Sequence, residues 1–246
     1  MSESKVILIT GGSSGIGRAA AIGFGKAGYQ VAICGRRPDA LKAASEASGA
    51  RAFTCDVTVP QDVARLLGSV ESAFGRLDVL FNNAGQAAPA VNFGDLDVEK
   101  WRSMIDTNLN GAFYVAREAF RLMRAQSPQG GRIINNGSIS AYVPRPGAAH
   151  YSASKNAITG LTRSIALDGR QFGIACGQID IGNTATDMTG DMSGGVLQAD
   201  GSTMPEPTFS VAHVVDALLY MAGLPLEANV QFMTVMATKM PYIGRG

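Results

Sequence analysis

Tyr151 and Lys155 stand four residues apart, and the stretch they open, Ser-Ala-Ser-Lys-Asn-Ala-Ile-Thr-Gly-Leu-Thr, reads as helix. At that spacing both side chains rise from one helical face. A phenol with a pKa of about 10 is a poor proton shuttle at neutral pH, and an ammonium one turn away favours its phenolate form. Ser138 ends the apolar run Ile133-Ile134-Asn135-Asn136-Gly137 and lies 13 residues before Tyr151 (151 − 138). A hydroxyl there can donate to an oxygen on which negative charge grows, although a lone serine after a strand also suits a turn. The trio fits proton transfer to and from a carbonyl or alcohol oxygen.

A second group of residues fits an anion. Thr10-Gly11-Gly12-Ser13-Ser14-Gly15-Ile16-Gly17-Arg18 follows the β-rich run Val6 to Thr10 and leads into the helical Ala19-Ala20-Ala21-Ile22. Glycines let the backbone approach a pyrophosphate, and a helix N-terminus offers free N–H donors and positive dipole potential. The plainer reading is a tight strand-to-helix turn. The flanking strand and helix are what the nucleotide motif requires. At the end of the second strand, where folds that use NAD carry an acid for the ribose hydroxyls, the chain reads Cys34-Gly35-Arg36-Arg37. No carboxylate stands there to repel a 2′-phosphate, and Arg36 offers planar charged donors, so NADP(H) is expected over NAD. Ser13 can add a hydroxyl. Arg37, before Pro38, reads either as a solvated side chain or as a second phosphate contact, and Asp39 suits the positive end of the next helix.

These pieces together resemble the short-chain dehydrogenase/reductase family, in its compact single-domain branch. The resemblance rests on Thr10-Gly11-x-x-x-Gly15-x-Gly17, Asn82-Asn83-Ala84-Gly85, Asn108 within Asp106-Thr107-Asn108, Ser138, and Tyr151-x-x-x-Lys155, in that order. It implies Tyr151 as general acid and base, Ser138 as a donor to the reacting oxygen, and Lys155 as a partner of the nicotinamide ribose. Asn108 would sit in a helix interruption whose freed carbonyl holds a proton-relay water, against the alternative of an ordinary mid-helix asparagine. Asp56-Val57 would lie beside the adenine, or Asp56 would cap the next helix. Asn82 and Asn83 would tie strand ends together while the Ala84-Gly85 backbone passes the nicotinamide ribose. The expected cofactor contacts are then Gly11, Ser13, Ser14, Gly15, Ile16, Gly17, Arg36, Arg37, Asp56, Val57, Asn83, Ala84, Gly85, Tyr151, Lys155, Gly182, Thr184 and Thr186. Two departures stand out. Asp180-Ile181-Gly182 replaces the family's Asn-Pro-Gly, and Lys239 to Gly246 replaces its Gly-Gly ending with a tail too apolar to float freely.

The elements that must position these residues alternate along the chain. Strands are expected at Val6 to Thr10, Gln30 to Cys34, Ala52 to Asp56, Val79 to Asn82, Arg132 to Gly137, Ile174 to Ile181 and Gln231 to Ala237. Helices are expected near 15–27, 38–48, 60–74, 97–125, 152–169 and 211–223. The pattern gives an α/β, Rossmann-type, doubly wound parallel sheet with helices on both faces, and a single domain over 1–246. In the fourth helix Phe113, Ala116, Phe120 and Met123 form an apolar stripe, and the resemblance implies that this helix and 152–169 pair with symmetry mates in a dimer or tetramer. Residues 183–209 lack a period and follow a strand end, so they read as a substrate lid or as a surface insertion. Met188, Met192 and Met204 would line that lid, whereas Met221, Met233 and Met236 suit the core or a subunit contact.

Composition removes other classes. A formal net charge of +1 gives no footprint for nucleic acid or an anionic membrane. The first residues, Met-Ser-Glu-Ser-Lys before a short apolar run, do not read as a signal peptide, so a cytoplasmic location is expected. Cys34, Cys55 and Cys176 read as buried thiols, and with only His150 and His213 beside them no metal site is expected. His150 is read as lining the mouth or exposed, and Trp101 as packing. The lid holds Asp187, Asp191, Asp200 and Glu206 with no Lys or Arg between 183 and 210, which disfavours a basic thioester-carrier entrance. A small neutral or apolar ketone, aldehyde or alcohol is therefore expected. A 3-oxoacyl thioester reductase and a non-catalytic dinucleotide sensor are the competing readings.

Overall fold

The computed structural model describes residues 4–87, 89–185 and 195–243. In chain order the main elements are β1 (Val6–Thr10), α1 (Gly15–Lys26), β2 (Gln30–Gly35), α2 (Pro38–Ser48), β3 (Arg51–Thr54), α3 (Pro60–Phe74) and β4 (Val79–Asn82). They continue with α4 (Val98–Ile105), α5 (Gly111–Ala125), β5 (Gly131–Asn136), α6 (Ala149–Gly169) and β6 (Ile174–Ile181). The short strands β7 (Thr184–Ala185), β8 (Val196–Leu197), β9 (Thr203–Met204) and β10 (Phe209–Ser210) precede α7 (Val211–Gly223) and β11 (Phe232–Val235). Among the described residues, seven strands form one sheet in the order β11-β6-β5-β4-β1-β2-β3, every pair parallel.

A parallel sheet needs a covering layer on each face, which is why its inner strands are apolar without alternation. All of β1 is buried. Its side chains still divide by pleat. Val6 and Leu8 join Leu80 and Ile133 beneath Val63 and Leu66 of α3 and Val115 of α5. Ile7 and Ile9 join Phe81 and Ile134 beneath Phe24 of α1, Leu41 of α2 and Leu218 of α7. The order in which strands are added reverses between β1 and β4, and in open α/β sheets the ligand crevice lies beyond the carboxyl ends of the strands at such a switch point.

Local signals set the helix ends. Pro38 and Pro60 open α2 and α3, and Gly49 (φ 71°) and Gly75 (φ 76°) close them in the left-handed region. Asp97 caps α4, accepting from the Glu99 and Lys100 amides at 3.0 Å each. The helix expected over 97–125 is interrupted by a π turn, Asp106–Asn110, which contains Asn108. Its exit, Gly111, is packed so closely that a Cβ would lie 2.8 Å from Val57 Cγ2.

Four sequence expectations need correction. Asp56 does not cap α3, whose N-cap is Val59; the Asp56 carboxylate instead accepts from the Thr58 amide and hydroxyl at 2.9 and 2.8 Å. His150 is buried, because the start of α6 is covered on the side that carries it. Trp101 leaves 37% of its surface exposed. The apolar stripe of α5 splits: Val115, Ala116, Ala119, Leu122 and Met123 pack inward, while Phe113 is 44% exposed.

The segment 183–209 is not structureless where it is described. β10 pairs in parallel with β7, and β8 with β9 in an antiparallel hairpin. Met204 is 50% exposed and Met221 buried, while Thr186, Asp187, Met188, Asp191 and Met192 lie outside the described residues. The C-terminal tail packs in part: Met240 is buried with Ile139 and Ala237, and Tyr242 lies against them. Residues 244–246 lie outside the described residues.

Side chains tie the strand ends where the ladder stops. Thr10 Oγ1 accepts the amides of Asn83 and Ala84 at 2.8 Å each, and the Thr10 carbonyl accepts Asn83 Nδ2 at 2.8 Å. Asn136 Nδ2 donates to Asn83 Oδ1 at 2.9 Å, and Asn82 Nδ2 donates to the Ala112 carbonyl at 2.8 Å and to Asn135 Oδ1 at 3.1 Å. Thr10→Val keeps shape but strands two amides. It should cost about 2–4 kcal/mol and lower Tm by roughly 5–15 °C in a thermal melt; an unchanged Tm would show that these bonds carry no stability.

Candidate functional site

A cleft with a volume of about 510 Å³ opens at the carboxyl ends of the strands, beside the switch point. Its floor at one end is the glycine turn. Gly11 holds φ 66°, and a Cβ there would lie 3.0 Å from Ala84 Cα, so two loops approach closer than side chains permit. Gly17 does not line the cleft. A Cβ on it would come within 2.3 Å of the Gly11 carbonyl, so its part is to bring α1 against the turn. Ser14 stands at the N-cap of α1 in extended conformation without a side-chain cap bond, leaving the first-turn amides at Gly15 and Ile16 on the cleft wall. This is a cradle for an anionic group.

Arg36, Arg37, Asp56 and Val57 line the same end, which the side wall of Gly35 leaves open. Arg37 Nη2 reaches Ser14 Oγ at 3.5 Å, and Arg36 Nη1 lies 3.9 Å from Asp56 Oδ2 with its side chain 66% exposed. The Thr58 donors and Arg36 hold Asp56 below the usual carboxylate range despite the burial that opposes them. Asn83, Ala84, Gly85, Gly182 and Thr184 line the cleft further along, as do Tyr151 and Lys155. The expected contact at Thr186 falls outside the described residues.

At the inner end, Lys155 Nζ donates to the Asn136 carbonyl at 2.7 Å and lies 5.8 Å from the centre of the Tyr151 ring. Burial brings the Lys155 ammonium down to about 8, with the Asp180 charge opposing. Burial also raises the Tyr151 phenol; a hydrogen bond with the Ser138 hydroxyl and the charge of Arg145 lower it, and Asp180 raises it further. Ser138 Oγ also accepts the Ser140 amide at 3.1 Å. Asn108 is buried behind this group rather than in the cleft. Its Oδ1 accepts the Gln86 amide at 2.8 Å, and its Nδ2 donates to the Gln86 carbonyl at 3.0 Å and to Ser154 Oγ at 3.3 Å. It braces the loop after β4 against α6.

Several cleft or site residues were not singled out from the sequence. Gln86, Thr107, Asn136 and Cys55 line the cleft, and their nearness to Asn83, Asn108, Ser138 and Asp56 is the only sequence signal they carry. Arg145 and Glu206 form an ion pair, and Arg145 Nη2 also donates to Asn183 Oδ1 at 2.8 Å while Asn183 Nδ2 donates to Glu206 Oε2 at 2.7 Å. No sequence spacing links residues 61 apart. The cluster fastens the segment before β10 to the loop after β5, beside Tyr151.

The model of short chain dehydrogenases matches residues 5–195. The chain belongs to the short-chain dehydrogenase/reductase family. Its sheet order and the helices on both sheet faces agree with that family's fold. A 3β-hydroxysteroid dehydrogenase of Mediterraneibacter gnavus is 38% identical over 192 residues, covering 76% of this chain and 68% of that protein. Sulfoacetaldehyde reductase 2 of Chromohalobacter salexigens is 31% identical over 244 residues, covering 97% of this chain and 96% of that protein. Among solved structures, a variant of actinorhodin polyketide ketoreductase with NADPH aligns with a TM-score of 0.85 at 27% identity, over 96% of this chain and 97% of that one.

In this short-chain dehydrogenase the Arg145–Glu206 pair is a buried polar link beside Tyr151. Glu206's side chain is 1% exposed and that of Arg145 16%, so removing the guanidinium takes a charged partner from a buried carboxylate. Arg145→Met should cost about 3 kcal/mol, read as a shift of the urea midpoint at constant m. A midpoint within error of the unmodified chain would show that the pair contributes nothing.

Proposed function

We propose that the chain is an NADP(H)-dependent oxidoreductase that interconverts a ketone or aldehyde with its alcohol. The observation that carries this reading is the meeting of Tyr151, Lys155 and Ser138 at the inner end of a cleft whose other end is a glycine cradle with Arg36 and Arg37. The donor set fits a dinucleotide: free α1 amides for a pyrophosphate, arginines for a 2′-phosphate, and Lys155 Nζ with the Ala84-Gly85 backbone for a ribose. Gly11, Ser13, Ser14, Gly15, Ile16, Arg36, Arg37, Asp56, Val57, Asn83, Ala84, Gly85, Gly182 and Thr184 would make the remaining contacts. A bound NADP(H) would supply or accept the hydride.

The residues of the chain handle the proton. Tyr151 donates it to the oxygen of a carbonyl as charge develops there, and removes it from an alcohol in the reverse direction. The Ser138 hydroxyl donates to the same oxygen, stabilising its charge in the transition state. Lys155 favours the phenolate that remains. Asn108 supports this group from behind, in the helix interruption where a freed carbonyl can hold a relay water.

A small neutral or apolar substrate suits the site because Arg145, the guanidinium beside Tyr151, already has Glu206 as its partner. The relatives act on a sulfonated aldehyde and on a steroid by their names, so the family accommodates both charged and apolar carbonyl compounds. The chain is further read as a cytoplasmic protein that self-associates as a dimer or tetramer, for which exposed Phe113 on α5 offers apolar surface.

Two variants test the reading, each followed by NADPH absorbance across a panel of ketones and aldehydes. Tyr151→Phe keeps the ring and removes the transferable proton, so turnover should fall by at least about a hundredfold with NADPH affinity little changed. Near-normal turnover would mean that another group supplies the proton. The unmodified protein should use NADPH well and NADH poorly, and Arg36→Asp should reverse that order. Equal kcat/KM with both cofactors before substitution would sink the NADP(H) assignment.

A further inference from the structure

Asp180 occupies the place where the family's usual asparagine would stand, and it is 1% exposed. Three donors converge on it. The Ser138 amide and Gln178 Nε2 donate to Oδ1 at 2.9 and 2.7 Å, and the Tyr142 hydroxyl donates to Oδ2 at 3.3 Å. A carboxylate accepts at both oxygens, whereas a protonated carboxyl must place a donor of its own. The contact is close: a Cβ on Gly137 would lie 2.1 Å from Asp180 Oδ1, so only glycine lets the chain reach Ser138 past this oxygen.

The donors are themselves oriented. Asn82 Nδ2 donates to Asn135 Oδ1 at 3.1 Å, Asn135 Nδ2 to Thr162 Oγ1 at 2.9 Å, and Thr162 Oγ1 to Gln178 Oε1 at 3.1 Å. That fixes Gln178 with its amide nitrogen toward Thr159 Oγ1, at 3.1 Å, and Asp180. The chain runs across β4, β5, α6 and β6 with every dipole pointing toward Asp180. Hydrogen bonds aligned this way stabilise a negative charge at the end that receives them.

We propose that Asp180 is a positioning residue of the reaction site: its ionised carboxylate anchors the main chain that presents Ser138 and sets a fixed negative charge behind Tyr151 and Lys155. The inference rests on the reading of Ser138, Tyr151 and Lys155 as the proton-transfer group. The charged and titratable groups facing the site are few. Tyr151 meets Lys155 on its own helix, Arg145 from the loop after β5 and Asp180 from β6. Asp180 meets Lys155 and Tyr142, and Tyr142 in turn meets Arg163 and Thr159. Burial raises Asp180, while its three donors and Lys155 favour its ionised form. Its charge makes the Lys155 ammonium harder to deprotonate and the Tyr151 phenol harder to ionise. Removing the charge should therefore lower both.

The test is a titration of Lys155 in the full-length protein without substrate, using 13Cε-lysine NMR with the resonance assigned by its loss in Lys155→Met. Asp180→Asn keeps an oxygen for the Ser138 amide and removes the charge. The Lys155 midpoint, about 8 in the unmodified protein, should drop by roughly one unit in Asp180→Asn. An unchanged midpoint in the folded variant would overturn the proposal. Asp180→Ala removes the acceptor as well, so its kcat should lie below that of Asp180→Asn while KM for NADPH stays constant; equal kcat values would refute the anchoring of Ser138. Isotope-edited infrared spectroscopy of the unmodified protein covers the case in which neither variant folds. A protonated aspartic carboxyl band at pH 7 would contradict the proposal, and ionised carboxylate bands alone would support it. None of the Lys155 readouts needs turnover, so they stand apart from the outcome for Tyr151→Phe.

Discussion

Everything at the cleft depends on how a parallel sheet ends. The ladder bonds that fix β1, β4, β5 and β6 side by side stop at their carboxyl ends, and there the chain must turn away while still satisfying its amides and carbonyls. Thr10 and Asn83 do this for β1 and β4, Asn136 and Asn83 for β5 and β4, and Asp180 with Ser138 for β6 and β5. Each tie is a polar side chain completing a neighbour's backbone. The same ties place the Ala84-Gly85 backbone, the Asn136 carbonyl that receives Lys155, and the Ser138 hydroxyl. Geometry for chemistry and closure of the sheet are one set of bonds.

The helices contribute through their starts and interruptions more than through their lengths. α1 matters to the cleft at its first turn, where amides are left on the wall, and α6 at Tyr151 and Lys155 in its first two turns. Between α4 and α5 the π turn puts Asn108 inward, where a regular helix would have to choose between packing it and exposing it. Met104, Ser154 and the Gln86 main chain then share its amide. A helix defect is thereby stabilised by the loop that it positions.

The sheet was legible because its strands are short β-branched runs between helical segments, and β1, β4 and β6 lie where those runs predict them. The glycine turn and the Tyr151–Lys155 pair were legible because their spacing is local. What stayed hidden was set by tertiary contact. Nothing near His150 in sequence says that the start of α6 is covered, and nothing near Asp56 says that Val59, held extended before Pro60, will cap α3 instead. Asp180 was visible as a departure from the family's pattern, yet its meaning needed Gln178 of β6, which donates to it, and Thr162 of α6, which orients Gln178. Arg145 and Glu206 were invisible as a pair for the same reason.

Two opposite charges now face each other twice around Tyr151: Lys155 with Asp180 on one side, and Arg145 with Glu206 on the other. Each ion alone would pay a heavy desolvation cost in so buried a place, and each pair reduces it. The consequence for chemistry is that the phenol, raised by burial, also feels two opposing charges. Arg145 lowers it and Asp180 raises it, so a small displacement of either charge changes the balance more than the same displacement would in water. Asp180 is locked by three donors inside the sheet, whereas Glu206 belongs to the segment between β9 and β10, held to the body by Arg145 and Asn183. The phenol therefore takes its opposing charges from two places, Asp180 on the sheet and Arg145 on the loop after β5, which Glu206 and Asn183 tie down.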